Sequence, residues 1–178
     1  KLQNIQMIEI LADFGANVNI TDNLDDTPLV WASSMNNTEI ATKLLKYGAD
    51  PDKGNFTPLM WSTFHGNVQV LKLLLEYRAN INSRTHEGWT ALMWAAEKGH
   101  ILAMWELLRR GAIVNMQNNY GQTALMFASR NGNIATVGLI LKKGGDSTII
   151  DFDKKNALDY ARNFQHKDVI RLLEKEFK

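Results

Sequence analysis

One short phrase recurs five times along the chain, with threonine or asparagine at its first position and leucine at its third. Successive copies begin 30, 33, 33 and 33 residues apart. Self-similarity at a fixed period near 33 residues is typical of repeat arrays, in which each unit buries its apolar face by stacking on its neighbours. The copies are Thr27–Ala32, Thr57–Ser62, Thr90–Ala95, Thr123–Ala128 and Asn156–Ala161.

Each copy is predicted to begin the first of two short helices. In the second full repeat the pattern predicts helices over Thr57–His65 and Val68–Tyr77, separated by a turn. The opening threonine is placed to cap its helix through its hydroxyl, and Pro28 and Pro58 follow at the first helical position, where proline is tolerated. The final repeat is more polar, as a solvent-facing end of a stack requires.

These elements predict one array over residues 1–178. Its parts are a half repeat at 1–21, full repeats at 22–51, 52–84, 85–117 and 118–150, and a C-terminal capping repeat at 151–178. The spacing of 30 between the first two copies places a three-residue deletion within Gly48–Phe56. The deletion either leaves a gap in the row of fingers that forms a binding surface, or it is a neutral change of loop length. Both interpretations stay open.

Composition excludes several classes of protein. With 20 basic and 19 acidic side chains the net charge is +1, which disfavours nucleic acid as the main partner. Cysteine is absent, so no disulfides form. We therefore expect the protein in a reducing compartment, which is the cytoplasm or the nucleus. No apolar run approaches the ~20 residues that span a bilayer, so membrane insertion is not expected.

Motifs that carry enzymatic chemistry are missing from the sequence. It contains no glycine-rich phosphate loop, no His-Glu-x-x-His helix and no calcium loop. The repeat pattern allows His65 and His86 to approach each other across adjacent repeats, but two histidines without a third ligand make a poor metal site. We therefore predict no catalytic residues, no metal site and no cofactor.

Several of these features together resemble ankyrin repeats. They are the Thr-Pro-Leu-x-x-Ala phrase, the turn Gly99-His100, leucine pairs such as Leu44-Leu45, and the stretch Gly15–Asn19. The resemblance covers essentially the whole chain. It implies an all-α solenoid of stacked antiparallel helix pairs with projecting β-hairpin fingers, whose partners lie across the concave face of finger tips and first helices.

The chain departs from the ankyrin pattern at two columns of residues. Apolar residues replace the usual histidine at the fourth position of the phrase in four repeats, and we expect them to pack in the core. The next position is aromatic throughout, and we expect an inter-repeat stacking ladder. The columns are Val30, Met60, Met93, Met126 and Asp159, and then Trp31, Trp61, Trp94, Phe127 and Tyr160.

The resemblance also implies which residues contact a partner. We predict an apolar patch of aromatic side chains from three consecutive repeats with a polar rim, because exposed aromatics anchor protein interfaces. The predicted contacts are Met35, Phe56, Phe64, His65, Trp89, Glu97, Lys98, Tyr120 and Arg130. Trp105, on the outward side of a second helix, is either a second contact or an isolated surface ring.

The function expected is a non-catalytic module that binds a protein or peptide on its concave surface. The alternative is the targeting arm of a larger enzyme or transporter whose catalytic part lies outside this chain. We expect a monomer, although self-association through the N-terminal half repeat stays open.

Overall fold

The computed structural model describes residues 2–176, with side chains for residues 6, 7 and 9–175. The sequence also predicts a helix over residues 1–14 with Ile5 and Ile8 among its apolar positions, and a last helix that ends at Phe177. The side chains of these three residues lie outside the described part of the chain. Eleven helices and no strand occupy the described part of the chain. They are α1 Leu2–Asp13, α2 Pro28–Ser34, α3 Thr38–Lys46, α4 Pro58–Phe64, α5 Val68–Glu76, α6 Ala91–Lys98, α7 Ile101–Arg109, α8 Ala124–Arg130, α9 Ile134–Lys142, α10 Ala157–Asn163 and α11 Lys167–Glu176.

The predicted helix starts are confirmed by their caps. The hydroxyls of Thr27, Thr57, Thr90 and Thr123 each accept the backbone N–H three residues later, at 3.2 to 3.4 Å. Asn156 does the same in the last repeat with its amide oxygen, at 3.0 Å. These bonds satisfy one of the free N–H groups at each helix start, which is worth about 1 kcal/mol.

The helices divide into two compact units, residues Lys1–Ser83 and Arg84–Lys178. In the first unit the helix pair α2–α3 packs beside the pair α4–α5, and α1 packs on α3. In the second, the pairs α6–α7, α8–α9 and α10–α11 follow one another in the same way. The division falls within one residue of the predicted repeat boundary between 84 and 85. The all-helical fold of paired helices is therefore confirmed.

The core is built from the phrase residues of the first helices and the apolar stripes of the second helices. Val30, Met60, Met93 and Met126 are all buried, so the predicted packing role of this column is confirmed. Within the described residues, no helix is both long enough and apolar enough to cross a membrane.

The fingers between helix pairs, predicted as β-hairpins, contain tight turns and no strand within the described residues. In four fingers the first tip residue donates its N–H to the fifth, as in Asp22 to Asp26 at 3.0 Å and Thr85 to Trp89 at 2.9 Å. The finger before α4 is the shortened one, and its positive φ falls at Gly54. The helix pairs beside it are intact, so the deletion is confined to the finger.

Fingers are linked to their neighbours through asparagine side chains. The amide of Asn19 donates to the Gly48 carbonyl at 3.0 Å and accepts the Asp50 N–H at 2.7 Å. Asn115 makes the equivalent pair of bonds in the second unit. Arg78 replaces the glycine that ends other second helices and adopts the same left-handed geometry, with φ of 64°.

Candidate functional site

A groove of about 330 Å³ opens between the first helices of the first two full repeats, within the unit formed by residues 1–83. Helices α2 and α4 pack side by side beneath it. The tip of the first finger supplies the remaining wall. The lining residues are Leu24, Asp26, Val30, Trp31, Ser34, Trp61 and His65.

The groove is open because a small side chain stands at the last position of the finger tip. Asp26 occupies that position, immediately before the capping Thr27, and it lines the groove between Trp31 and Trp61. Its N–H donates to the Asp22 Oδ1 at 3.1 Å, and its carbonyl accepts the Asp22 N–H. The backbone at Asp26 is therefore held firmly, and only its short side chain leaves the space between the two indoles unfilled.

The two indoles that wall the groove are held by different contacts. Trp31 is 47% exposed, and its Nε1–H donates to the Asp22 Oδ2 at 3.2 Å. Trp61 stacks on His65, with ring centroids 5.6 Å apart and planes at 10°, and it also contacts Phe56 at 4.7 Å. The Nε1 of Trp61 is buried and has no hydrogen-bond acceptor among the described residues. Both walls of the groove are thus aromatic rings held by neighbouring side chains, and the Trp31 ring is accessible to solvent.

One wall of the groove belongs to an acidic finger tip. Asp26 of that tip lines the groove, Asp22 accepts the Trp31 Nε1–H, and Asp25 lies in the same tip, while no lysine or arginine lines the groove. Backbone N–H groups of Leu24 and Asp26 lower the pKa of Asp22, which therefore stays ionised. Burial raises the pKa of Asp26, and the charges of Asp22 and Asp25 raise it further. This concentration of carboxylates favours a cationic group over an anionic one.

The equivalent space in the unit formed by residues 84–178 is closed. Trp89 holds the position of Asp26, and its backbone makes equivalent bonds, with its N–H donating to the Thr85 hydroxyl at 3.2 Å. Its indole lies 4.2 Å from the ring of Trp94 and 4.2 Å from that of Phe127, nearly parallel to both. Two rings so placed must lie on opposite faces of Trp89. The Trp89 ring therefore fills the gap, and Phe127 is only 2% exposed.

The sequence pattern described as ankyrin repeats (3 copies) matches the chain over residues 1–55, 51–118, 80–151 and 103–178. These matches together cover its full length. The chain belongs to the ankyrin-repeat family. Comparison with curated proteins finds no match. Ankyrin repeats generally serve as protein–protein interaction modules and are typically non-catalytic.

In the first ankyrin unit, three of the predicted contact residues are brought together. Phe64 lies 6.1 Å from Phe56, edge to face, and 5.2 Å from His65, and the ring of Trp61 lies 6.0 Å from it. Phe56 and Phe64 are half-buried in this cluster, while His65 is exposed at the rim of the groove. Met35, at the end of α2, is exposed.

In the second ankyrin unit, the predicted contact residues separate into a paired group and an exposed group. Arg130 forms a salt bridge with Glu97 at 2.6 Å, and its guanidinium lies 5.2 Å from the Phe127 ring centroid. The amide of Asn131 also donates to the Glu97 carbonyl at 2.6 Å. Glu97 and Arg130 therefore tie two repeats together. Lys98 and Tyr120 are exposed, and with Trp89 packed between two rings, Tyr120 is the exposed aromatic of this predicted set in this unit.

The aromatic column is held together differently from the ladder that the sequence predicted. Trp94 and Phe127 stack on Trp89, a finger residue, so the column is interleaved with finger side chains. Tyr160 follows the same plan with hydrogen bonds, because its hydroxyl accepts from Gln122 Nε2 at 2.9 Å and donates to Asp151 at 2.6 Å. Gln122 holds the finger position equivalent to Trp89.

Sequence reasoning missed Trp31 and Trp61 as groove residues because it assigned the whole column to internal stacking. The signal that identifies them is Asp26, the smallest residue in its column, which otherwise contains Phe56, Trp89, Gln122 and Lys155. Among the described side chains, no group of three or more His, Asp or Glu residues is placed to hold a metal ion.

Proposed function

We propose that this chain is a non-catalytic module that binds a protein or peptide partner through the face of its finger tips and first helices. The observation that carries the proposal is the open groove between Trp31 and Trp61, where Asp26 leaves two aromatic walls unfilled. Concave sites with aromatic walls and a few polar groups are where proteins bind ligand side chains. The exposed Met35 and His65 extend this surface at its edge.

The groove favours a basic side chain of the partner. The stem of a lysine or arginine packs against indole faces, while its charged end reaches carboxylates of the acidic finger tip. Asp22 and Asp26 supply those carboxylates, and the accessible face of Trp31 supplies a cation–π contact. An arginine fits best, because its planar guanidinium both stacks on a ring and donates to carboxylates in a forked geometry. An extended peptide with an arginine beside an apolar residue is therefore the expected ligand.

The test is selection of peptides from a random library on the wild-type chain, followed by affinity measurement against Asp26→Trp. This variant places an indole where Trp89 places one in the other unit, and so it fills the groove. Asp153→Trp makes the same change at an exposed finger residue and serves as the matched control. We expect selected peptides to contain arginine or lysine, and their affinity to fall at least tenfold in Asp26→Trp.

Selected peptides that bind Asp26→Trp as tightly as wild type would show that the groove is not the binding site. Enrichment of acidic peptides would contradict the assigned chemistry. Raising the salt concentration should weaken binding of the basic peptides moderately, because exposed carboxylates are screened by salt.

A further inference from the structure

A second apolar surface lies on the outward sides of α7 and α9, on helices that do not line the groove. Leu102 is 68% exposed and Trp105 is 48% exposed on α7, and Ile134 and Ala135 are exposed on α9. The two helices pack side by side in the unit formed by residues 84–178. We call this surface, formed by Leu102, Trp105, Ile134, Ala135 and Gly138, the outer face. Contiguous exposed apolar side chains of this kind mark interaction sites.

Trp105 is fixed in place on this outer face. The guanidinium of Arg109 lies 5.4 Å from the Trp105 ring centroid. Arg109 is itself held by the carboxylate of Glu106, at 2.7 and 3.2 Å, and that carboxylate also accepts Arg110 Nε at 2.6 Å. Glu106 is only 1% exposed, so the group is anchored in the protein. Tryptophan and arginine are both enriched among the residues that contribute most of the binding energy at protein interfaces.

No contact within the described part of the chain requires a glycine at position 138. It lies in the interior of α9, where glycine costs up to about 1 kcal/mol relative to alanine. An added Cβ would meet only Leu172 Cδ2 at 4.0 Å, which is ordinary van der Waals contact. Gly138 stands 33 residues after Trp105, at the equivalent position of the next repeat. The Trp105 ring on α7 therefore projects beside Ala135 and Gly138 of α9, two positions with small residues.

The exposed charged side chains of α7 and α9 are all basic, while Asp168 of α11, a helix that packs on α9, is exposed and lies 3.4 Å from Arg171. Arg109, Lys142 and Lys143 are exposed at the ends of α7 and α9. Glu106, the single acidic residue of these two helices, is buried and balanced by two arginines. Burial would ordinarily raise the pKa of Glu106, but hydrogen bonds from Arg109 and then Arg110 outweigh it and hold the pKa at about 2. The outer face thus presents apolar residues beside basic side chains at the C-terminal ends of α7 and α9.

We propose that the outer face docks an acidic amphipathic helix of a partner protein. Apolar side chains spaced at i, i+3, i+4 and i+7 would pack around Trp105 and over Ala135 and Gly138, where small residues allow close approach. Its glutamates or aspartates would lie against Arg109, Lys142 and Lys143. The relief of a raised ring beside small residues matches the ridges of a helix better than a flat lipid surface. This proposal is independent of the groove, because the two surfaces share no residue.

The test uses a fluorescein-labelled, 18-residue helical peptide with leucines on one face and glutamates on the other, and a counterpart with lysines in place of the glutamates. Fluorescence anisotropy gives the affinity of each for the full chain. We expect the glutamate peptide to bind at least tenfold more tightly than the lysine peptide. Trp105→Ala should weaken it at least tenfold, and Gly138→Leu, which fills the low part of the surface, at least fivefold.

Ile150→Ala is the matched control, because it removes an apolar side chain that is 51% exposed but lies in a finger. Its affinity for the glutamate peptide should stay within twofold of wild type. The double variant Lys142→Glu with Lys143→Glu should shift preference toward the lysine peptide. These variants alter surface residues only, and circular dichroism verifies that each stays folded.

Three outcomes would overturn the proposal. The first is a Trp105→Ala affinity within twofold of wild type, and the second is equal binding of both peptides. The third is Trp105-dependent binding to phosphatidylserine vesicles without binding to the glutamate peptide, which would assign the outer face to a membrane surface. Amide shifts in a ¹⁵N spectrum, confined to residues 101–110 and 134–143 on peptide addition, would locate the contact as proposed.

Discussion

Asp26 and Trp89 occupy the same position in two repeats of one chain. The two residues differ in whether their side chain fills the space between two aromatic rings. Both are held by equivalent backbone hydrogen bonds at the end of a finger tip. In residues 84–178 the indole of Trp89 is stacked between Trp94 and Phe127. In residues 1–83 the carboxylate of Asp26 leaves a groove of about 330 Å³ beside Trp31 and Trp61.

This contrast shows how a repeat protein can create a binding site without changing its fold. The helices, caps and finger links of the two units are alike, so the scaffold tolerates either residue. A large side chain at the finger position stabilises the stack by filling it. A small, charged one gives up that packing and exposes two aromatic walls. Function in such an array therefore depends on single substitutions in a periodic column.

The largest expected effect is on the closed stack. Trp89→Ala should lower the free energy of unfolding by about 4 kcal/mol, because it removes a ring packed between two others and leaves a cavity. Trp31→Ala is the matched control, since its ring is already half-exposed and should cost about 1 kcal/mol. Urea denaturation followed by circular dichroism measures both. Equal losses in the two variants would mean that the stack and the groove do not differ in packing.

Acid should change the stability contributions of Glu106 and Asp26 in opposite directions. The folded-state pKa of Glu106 is about 2 against an ordinary 4.5, so its stabilisation is complete above pH 4.5 and is lost as pH falls toward 2. That shift corresponds to about 3 kcal/mol. The pKa of Asp26 is raised above 3.8, so protonation of Asp26 favours the folded state as pH falls through its raised value.

Stability measured from pH 6 to pH 3 for wild type, Glu106→Gln and Asp26→Asn separates these contributions. Glu106→Gln should show a weaker loss on acidification than wild type, and Asp26→Asn a stronger one. Hydrogen exchange of α7 and α2 assigns each change to its unit. Parallel pH profiles for all three proteins would contradict both assignments.

The smallest expected effect concerns a feature that the two units share. Asn19→Ala and Asn115→Ala each remove one donor and one acceptor bond between fingers, at distances of 2.7 to 3.0 Å. Each should cost about 1 kcal/mol, since these bonds are partly exposed to water. Thermal unfolding of the two variants gives the comparison. A loss confined to one variant would show that finger linkage, and not only the finger-tip side chain, distinguishes the units.

The fold was predictable from the sequence because its signals are local. Threonine caps, glycines and apolar stripes determine where each helix begins and ends, and the observed bounds agree with the predicted ones within one or two residues at Pro58–Phe64 and Val68–Glu76. Such features depend on a residue and its near neighbours in sequence.

The groove was not predictable from the same reasoning because it depends on a side chain between two repeats. The aromatic column suggested rings stacked on rings, but Trp94 and Phe127 each stack on Trp89. Which finger residue lies between two column rings becomes clear only from the packing. For the same reason the sequence did not predict that Trp89 packs between two rings or that Glu97 and Arg130 form a salt bridge.

All five tryptophans of the chain lie in the groove, in the closed stack or on the outer face, so fluorine NMR of 5-fluorotryptophan is the most direct test. A soluble paramagnetic agent should broaden the resonances of Trp31 and Trp105 strongly and those of Trp89 and Trp94 weakly. In Asp26→Trp, the broadening of Trp31 should fall toward that of Trp94, because the new indole covers it. If Trp31 is broadened equally in Asp26→Trp and in wild type, the small side chain of Asp26 is not what leaves the groove open, and the central claim is contradicted.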